Sequence, residues 1–382
     1  MSGAKLTVTL LTRSLHAGGA ERLFCNIAEG LKDQGHRVSV TTFYPGGHFS
    51  EELSDYAIPH RDAAKKSRWD IFGFLLRLAR VLRHDRPDVI YGFLPTSNIL
   101  LVLLKPFLGG AKVVWGVGAL NEVADFHDWP SRTSLRLEAA LSNVPDLIIA
   151  NSAPVRDLLV RRKFPAAKIA LIPNGVNLDK FTPAPDGGAA LRETWNVPRD
   201  ALVVGRVGRL HPVKGYPDFL DAAARMGRAN VYYVIVGDGD DAYTATLKHQ
   251  VRDLGIEHQV IWAGTHQDMP AVYSAFDVMV SSSVEESSPH VAIEAMACGV
   301  PCVVTDVGDS ADLVGDTGYV VPASDPGEMA AALAKIADLS AQMRRDLGAR
   351  ARQRMGDHYA EAALIERIEK TFQGLLENGA EG

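Results

Sequence analysis

Two carboxylates, Glu286 and Glu294, stand in the stretch SSSVEESSPHVAIEAMACGVPCVVT (Ser281–Thr305) with seven residues between them. A glutamate such as Glu294 suits a neutral polyol, because its carboxylate accepts two hydroxyl hydrogen bonds, as a ribose offers. Glu286 suits the hydroxyls of a group lying beyond the phosphates of the same ligand. Two cations, Arg209 and Lys214, stand in VGRLHPVKGY, beside glycines and ahead of an apolar run. Cations next to such backbone and a helix N-terminus form a diphosphate clamp in principle. The plain alternative for all four is solvated surface charge.

The elements that must hold these residues follow from the apolar pattern. DVMVSSS (Asp277–Ser283) and PCVVT (Pro301–Thr305) read as short buried strands. Pro289 to Cys298 reads as a helix between them, with Ser288 as N-cap, Pro289 in the first helical position and Gly299 just past the end. The unit is strand, tight loop, helix, strand. Its loop lies at the carboxyl end of a strand, where open α/β sheets bind ligands. A helix N-terminus there favours an anion such as a diphosphate.

The same unit recurs along the chain. Leu6–Thr12 is a strand that feeds RSLHAGGAE and a helix from about Glu21 to Gln34, so Gly18 and Gly19 allow close backbone approach to a ligand; a tight turn is the alternative. The dinucleotide fingerprint G-x-G-x-x-G is absent. Further strands are expected at His36–Phe43, Asp88–Phe93, Lys112–Gly116, Asp146–Asn151 and Ile169–Ile172, then at Ala201–Arg206, Tyr232–Gly237 and Val260–Gly264. NLDKFTPAPDGGAALRE, rich in Pro and Gly, reads as a linker between two domains. From Gly327 the chain reads as helical to about Leu376, interrupted near Gly356. Alternating strands and helices indicate an α/β protein of parallel βαβ units, and 382 residues suit two domains.

Ser67 to Arg86 reads as a basic amphipathic helix with Phe72, Leu75, Leu76, Ala79 and Leu82 at helical spacing. His60–Arg86 holds eight Lys/Arg against three Asp, +5 within a chain of net charge −6. Such a helix suits an anionic membrane surface, with Trp69, Phe72 and Phe74 inserting. The alternative docks it on its own sheet with Phe72 and Leu76 in the core. The loop Gly116–Pro130 holds Asn121, Glu122, Asp125, His127 and Asp128, candidates for an acceptor contact on what is otherwise a surface loop.

Composition excludes several classes. The net charge of −6 argues against a general nucleic-acid binder. No apolar run is long enough to span a membrane, and the charged start MSGAK runs straight into a strand without a secretory pattern. Three cysteines, Cys25, Cys298 and Cys302, suit a reducing cytoplasm and no disulfide framework, and no Cys/His cluster has metal-ligand spacing.

Six motifs stand in order: GGAE at 18–21, IPNGVN at 172–177, GRLHPVKG at 208–215, VGDG at 236–239, WAG at 262–264, and E-x7-E followed by AMACGVPCV. Together they resemble the retaining family 4 glycosyltransferases of the GT-B fold. CGVPCVVTDVGDSADLVGDTGYVV (Cys298–Val321) is similar to members that build bacterial cell-surface polysaccharides. The resemblance implies two Rossmann-like, doubly wound parallel-sheet domains facing across a cleft: 1–180 plus 358–382 on the acceptor side, and 181–357 for the nucleotide-sugar. The last helix, roughly Tyr359–Leu376, would cross back onto the first domain.

By the same resemblance, Arg209 and Lys214 hold the donor diphosphate, Glu294 the ribose and Glu286 the transferred sugar. Backbone N–H groups of Ser288, His290 and Val291, with Ser287 and Pro289 beside them, face the sugar and phosphate. Trp262, Ala263 and Gly264 edge the base, Gly237 lines the same site, and Gly18 and Gly19 approach the diphosphate. Glu286, Arg209 and Lys214 are the catalytic candidates. Asn121, Asp125 and His127 are the acceptor-side candidates. Where members often read G-F-G or G-F-P-N, this chain reads Ser287-Ser288-Pro289-His290, which leaves the sugar open.

The expected reaction is metal- and cofactor-independent hexosyl transfer from a nucleotide-diphosphate sugar, with UDP the expected nucleotide, to an acceptor hydroxyl with retention. A lipid-linked saccharide at the cytoplasmic face of the membrane is the expected acceptor, with peripheral contact to anionic lipid. The alternatives are a soluble small-molecule acceptor, a non-catalytic nucleotide-sugar-binding protein, and a GT-B epimerase or phosphorylase.

Overall fold

The structure is a computed structural model and describes residues 5–16, 19–67, 69–118 and 129–377. Gly18, Asn121, Glu122, Asp125, His127 and Asp128 lie outside the described residues.

Thirteen strands form among these residues, and most are short apolar runs rich in Val and Ile; the edge strand His60–Asp62 is the polar exception. In the first sheet they are β1 (Thr7–Thr12), β2 (Arg37–Thr42), β3 (His60–Asp62), β4 (Val89–Phe93), β5 (Lys112–Val117), β6 (Leu147–Ala150) and β7 (Ile169–Leu171). In the second they are β8 (Leu202–Val207), β9 (Val231–Val236), β10 (Val260–Gly264), β11 (Val278–Ser281), β12 (Cys302–Thr305) and β13 (Tyr319–Val321). All pairings are parallel, in the orders β3-β2-β1-β4-β5-β6-β7 and β10-β9-β8-β11-β12-β13. Runs such as VYYVIV, apolar on both faces, are what a parallel sheet covered by helices on both sides requires. Each order reverses once, at β1/β4 and at β8/β11, and such a switch point opens a crevice at the carboxyl ends of the strands.

The described residues divide into two compact units, the first up to residue 118 with 129–174 and 361–377, the second 175–360. Residues 175–180 pack with the second unit because Val176 bridges in parallel to Ala360, its N–H donating to Tyr359 O at 2.8 Å. The final helix, Glu361–Glu377, buries Leu364, Ile365, Ile368 and Phe372 in the core of the first unit, with Phe372 edge-on to Tyr91 at 5.8 Å.

Three expectations need correction. The stretch expected as a linker contains a helix, Pro185–Thr194. Its glycines serve close packing: a Cβ on Gly188 would stand 2.6 Å from the Ser274 carbonyl, so the helix seats only because that position is bare. The helical tail breaks at Leu339–Ser340 and again at Tyr359–Ala360, not near Gly356, which lies inside Ala341–His358. The basic helix is shorter than expected, Ile71–Leu82, and turned differently. Phe74, Leu78 and Leu82 enter the core, with Phe74 edge-on to Phe43 at 5.3 Å. Phe72 and Leu76 are 85% and 70% exposed, and Trp69 just ahead of the helix is 80% exposed. The helix is thus docked with Arg80 and Arg83 on a solvated face, as the alternative expects, but through Phe74, Leu78 and Leu82 in place of Phe72 and Leu76, and Phe74 is unavailable for insertion. Arg77 is tied down, donating to Ala63 O (3.0 Å) and Ala64 O (3.1 Å) and pairing with Asp70, while Arg80, Arg83 and Arg86 point to solvent.

Candidate active site

In the second unit, β8 and β11 lie side by side at the switch point, and the loops that leave them carry the charged candidates. The β8 loop is organised by Arg206, a residue not singled out from the sequence. It is 1% exposed inside an otherwise apolar strand. Its guanidinium donates to Val207 O (2.6 Å), Lys214 O (2.7 Å) and Ser282 Oγ (3.1 Å), and lies 4.9 Å from the centre of the Tyr216 ring. A buried charge is tolerated only when its donors are met in this way. The Ser282 hydroxyl donates to the same Lys214 carbonyl at 3.0 Å. Gly215, in the left-handed region at φ 62°, passes so close to Ser282 O that no side chain fits. The main chain at Lys214 is thus clamped from β8 and β11 together. Its side chain remains to act, and its Nζ forms an ion pair with Glu286 Oε2. Arg209 is exposed on the same loop and carries no ion pair among the described residues.

The β11 loop leads into the helix His290–Ala297. Ser288 is not its N-cap: Pro289 takes that place in an extended conformation, and no side chain caps the helix. The amides of Ala292 and Ile293 close the first turn onto Pro289 O (2.9 and 3.2 Å), so those of Ser288, His290 and Val291 lie ahead of it; Pro289 has none to give. Gly299, at φ 76°, follows the helix end as expected. Beneath the loop runs the turn after β12. A Cβ on Gly308 would stand 2.5 Å from Ser287 O, and Asp309 N donates to that same oxygen at 3.1 Å. The Asp309 carboxyl is 7% exposed, with Oδ1 unpartnered. Burial pushes it up to about 7, against the opposing pull of the nearby Ser288 hydroxyl. Burial also lowers His290, which feels Glu286 raising it and Lys214 lowering it.

Glu294 sits mid-helix and accepts a 2.6 Å hydrogen bond from the Tyr273 hydroxyl at Oε2. Tyr273 is buried and its hydroxyl is held well above the ordinary range, by burial first and then by Glu294, so it remains a donor. The carboxylate is therefore oriented before any ligand arrives. In the segment expected to edge a base, Gly264 O accepts from Gly237 N at 2.8 Å, and Lys248 Nζ stands 5.7 Å from the centre of the Trp262 ring. Gly19, in the first unit, opens the helix Gly19–Asp33 that follows β1.

The family profile described as Glycosyltransferase Family 4 matches residues 17–180, and that described as Glycosyl transferases group 1 matches residues 201–338. The chain belongs to the family 4 glycosyltransferases. The UDP-Gal:alpha-D-GlcNAc-diphosphoundecaprenol alpha-1,3-galactosyltransferase of Escherichia coli is 32% identical over 177 residues, 45% of this chain and 46% of that one. A D-inositol 3-phosphate glycosyltransferase of Streptomyces avermitilis is 35% identical over 217 residues, 52% of this chain and 47% of that one. The chain thus spans about half the length of these curated relatives. HepE of Anabaena, solved in complex with UDP-glucose, superposes with a TM-score of 0.87 at 24% identity, over 97% of this chain and 100% of that one. The fold is GT-B.

Within this family 4 chain, Arg206, Tyr273 and Asp309 escaped the sequence reading. An arginine in the apolar run VVGRV was the one available signal. Nothing local marks Tyr273 or Asp309, whose roles come from what packs on them.

Proposed function

We propose that the protein is a retaining glycosyltransferase that moves a sugar from a nucleotide-diphosphate sugar, with UDP as the nucleotide, to an acceptor hydroxyl. The observation that carries this reading is the meeting of Lys214 and Glu286, from loops at the β8/β11 switch point, in front of the helix at His290. Lys214 and the exposed Arg209 take the diphosphate, the amides ahead of Ala292 take its remaining charge, and Glu294 takes the ribose hydroxyls. Glu286 meets the transferred sugar. As the glycosidic bond breaks, charge gathers on the leaving diphosphate, and donors already fixed in place stabilise it with little reorganisation. The two cations neutralise the phosphates, so the chemistry calls for neither metal nor cofactor. Retention follows from reaction on one face, with the diphosphate helping to deprotonate the acceptor.

The acceptor proposed is a lipid-linked saccharide in bacterial polysaccharide or glycolipid assembly, reached at the cytoplasmic face of the membrane. Two findings support it. The Escherichia coli relative is named for a diphosphoundecaprenol-linked sugar. In the first unit, Trp69, Phe72 and Leu76 expose an apolar stripe beside Arg80, Arg83 and Arg86, a pattern suited to an anionic interface. No helix among the described residues is long and apolar enough to cross a membrane. The test is incubation with a panel of UDP-sugars, with and without lipid-linked saccharides. Nucleotide released only with acceptor, and an α-linked product from an α-linked donor, is the expected result. Release without acceptor, or an inverted product, refutes it.

A further inference from the structure

Resting on that reading of the donor site, we propose that the Lys214–Glu286 ion pair is a latch across the site, exchanged when a nucleotide diphosphate takes Lys214 and frees Glu286 for the sugar. The two residues assigned to different parts of one ligand are bound to each other. Both side chains are largely buried, 25% and 20% exposed, so solvent screens the pair only in part. Neither can withdraw with its backbone. Lys214 O is held by Arg206 and Ser282, and the chain at Glu286–Ser287 rests on Gly308. Only the side chains can rearrange, and each leaves an uncompensated charge unless it finds a new partner.

A diphosphate supplies that partner for Lys214. Glu286 is then a carboxylate beside a phosphate, and neither the buried Asp309 carboxyl in the floor of its loop nor His290, lowered by burial, supplies a compensating positive charge. Hydroxyl donors of a sugar relieve it; a bare nucleotide does not. The exchange therefore works against the bare nucleotide and less against the full donor, and closing the latch again helps to expel the spent nucleotide.

The test is calorimetric titration of UDP, with GDP and ADP in parallel, into the full chain, Glu286→Gln, Lys214→Ala and the double variant. The latch predicts that Glu286→Gln binds the nucleotide about five- to tenfold more tightly, the scale of one partly buried ion pair. It also predicts that this gain disappears in the Lys214→Ala background. An unchanged or weaker affinity in Glu286→Gln overturns the latch. So does an equal gain in both backgrounds, which would be plain repulsion between Glu286 and phosphate. Lys214→Ala with unaltered affinity instead refutes the donor reading of Lys214, and absence of binding by all three nucleotides refutes both. Should Glu286→Gln melt early, Glu286→Ala with and without Lys214→Ala is read by the same criterion: a gain confined to the Lys214 background supports the latch, and no gain or an equal gain in both overturns it.

Discussion

Replacing Asp309 by asparagine tests whether the floor under the Glu286 loop holds an acid that folding keeps protonated. The carboxyl is raised from the ordinary 3.8 to about 7, chiefly by burial. The sign follows from proton counting. Between these two values the folded chain binds a proton that the unfolded chain has released, so the stability contribution is complete below about pH 4 and is lost as pH rises towards 7. Each pH unit well inside that window costs about 1.4 kcal/mol, and the slope fades near pH 7, so between pH 5 and pH 7 the wild-type chain should lose about 2–2.5 kcal/mol from this group alone. The asparagine side chain cannot ionise and fills the same space. Urea unfolding of the wild type and Asp309→Asn at pH 5, 6, 7 and 8, followed by a signal from the second unit, isolates the effect, because other titrations cancel in the difference. The variant should gain on the wild type by about 2–2.5 kcal/mol over pH 5–7 and then level off. A difference that stays flat to within about 0.5 kcal/mol would show that Asp309 ionises freely in the fold and that its burial does not govern it.

Three further outcomes follow from the site and the surface. Lys214→Ala should cost about 1.5–3 kcal/mol of transition-state stabilisation, read as a fall in kcat/KM of roughly one to two orders of magnitude; a change under about threefold would remove Lys214 from the reaction. Glu294→Ala should weaken nucleotide binding even without a sugar, and Tyr273→Phe should do so less, by about 1 kcal/mol for the loss of its 2.6 Å hydrogen bond; unchanged UDP and GDP affinities in Glu294→Ala would sink the ribose assignment. Sedimentation with anionic vesicles should carry the wild type down at low salt but not at high salt, and should fail for Arg80/Arg83/Arg86→Glu and for Phe72/Leu76→Ser. Wild-type protein left in the supernatant at low salt would point to a soluble acceptor. Arg77 is left out of the charge reversal because its guanidinium secures the chain at Ala63 and Ala64.

The sequence by itself determined eleven of the thirteen strands, because a parallel strand covered on both faces must be an unbroken apolar run, as at Val89–Phe93; His60–Asp62 and Tyr319–Val321, three-residue strands at the sheet edges, carry no run long enough to read. It also determined which glutamates, lysine and arginine to watch, since their motifs are local. It could not say which face of Ile71–Leu82 would be buried: Phe72 and Phe74 both fit an apolar helix, and only the packing of Phe74 on Phe43 decided it. It misread Gly187-Gly188 as slack because a glycine that loosens a chain and one that admits a neighbour are the same letter; the Ser274 carbonyl distinguishes them. Lys214 and Glu286 lie 72 positions apart and meet because β11 enters the sheet beside β8, an order set by crossover connections and not by any local pattern. Charge and hydrogen-bonding capacity belong to the residue, but whether a charge is clamped, paired or raised in pKa depends on what the fold brings within a few ångströms of it.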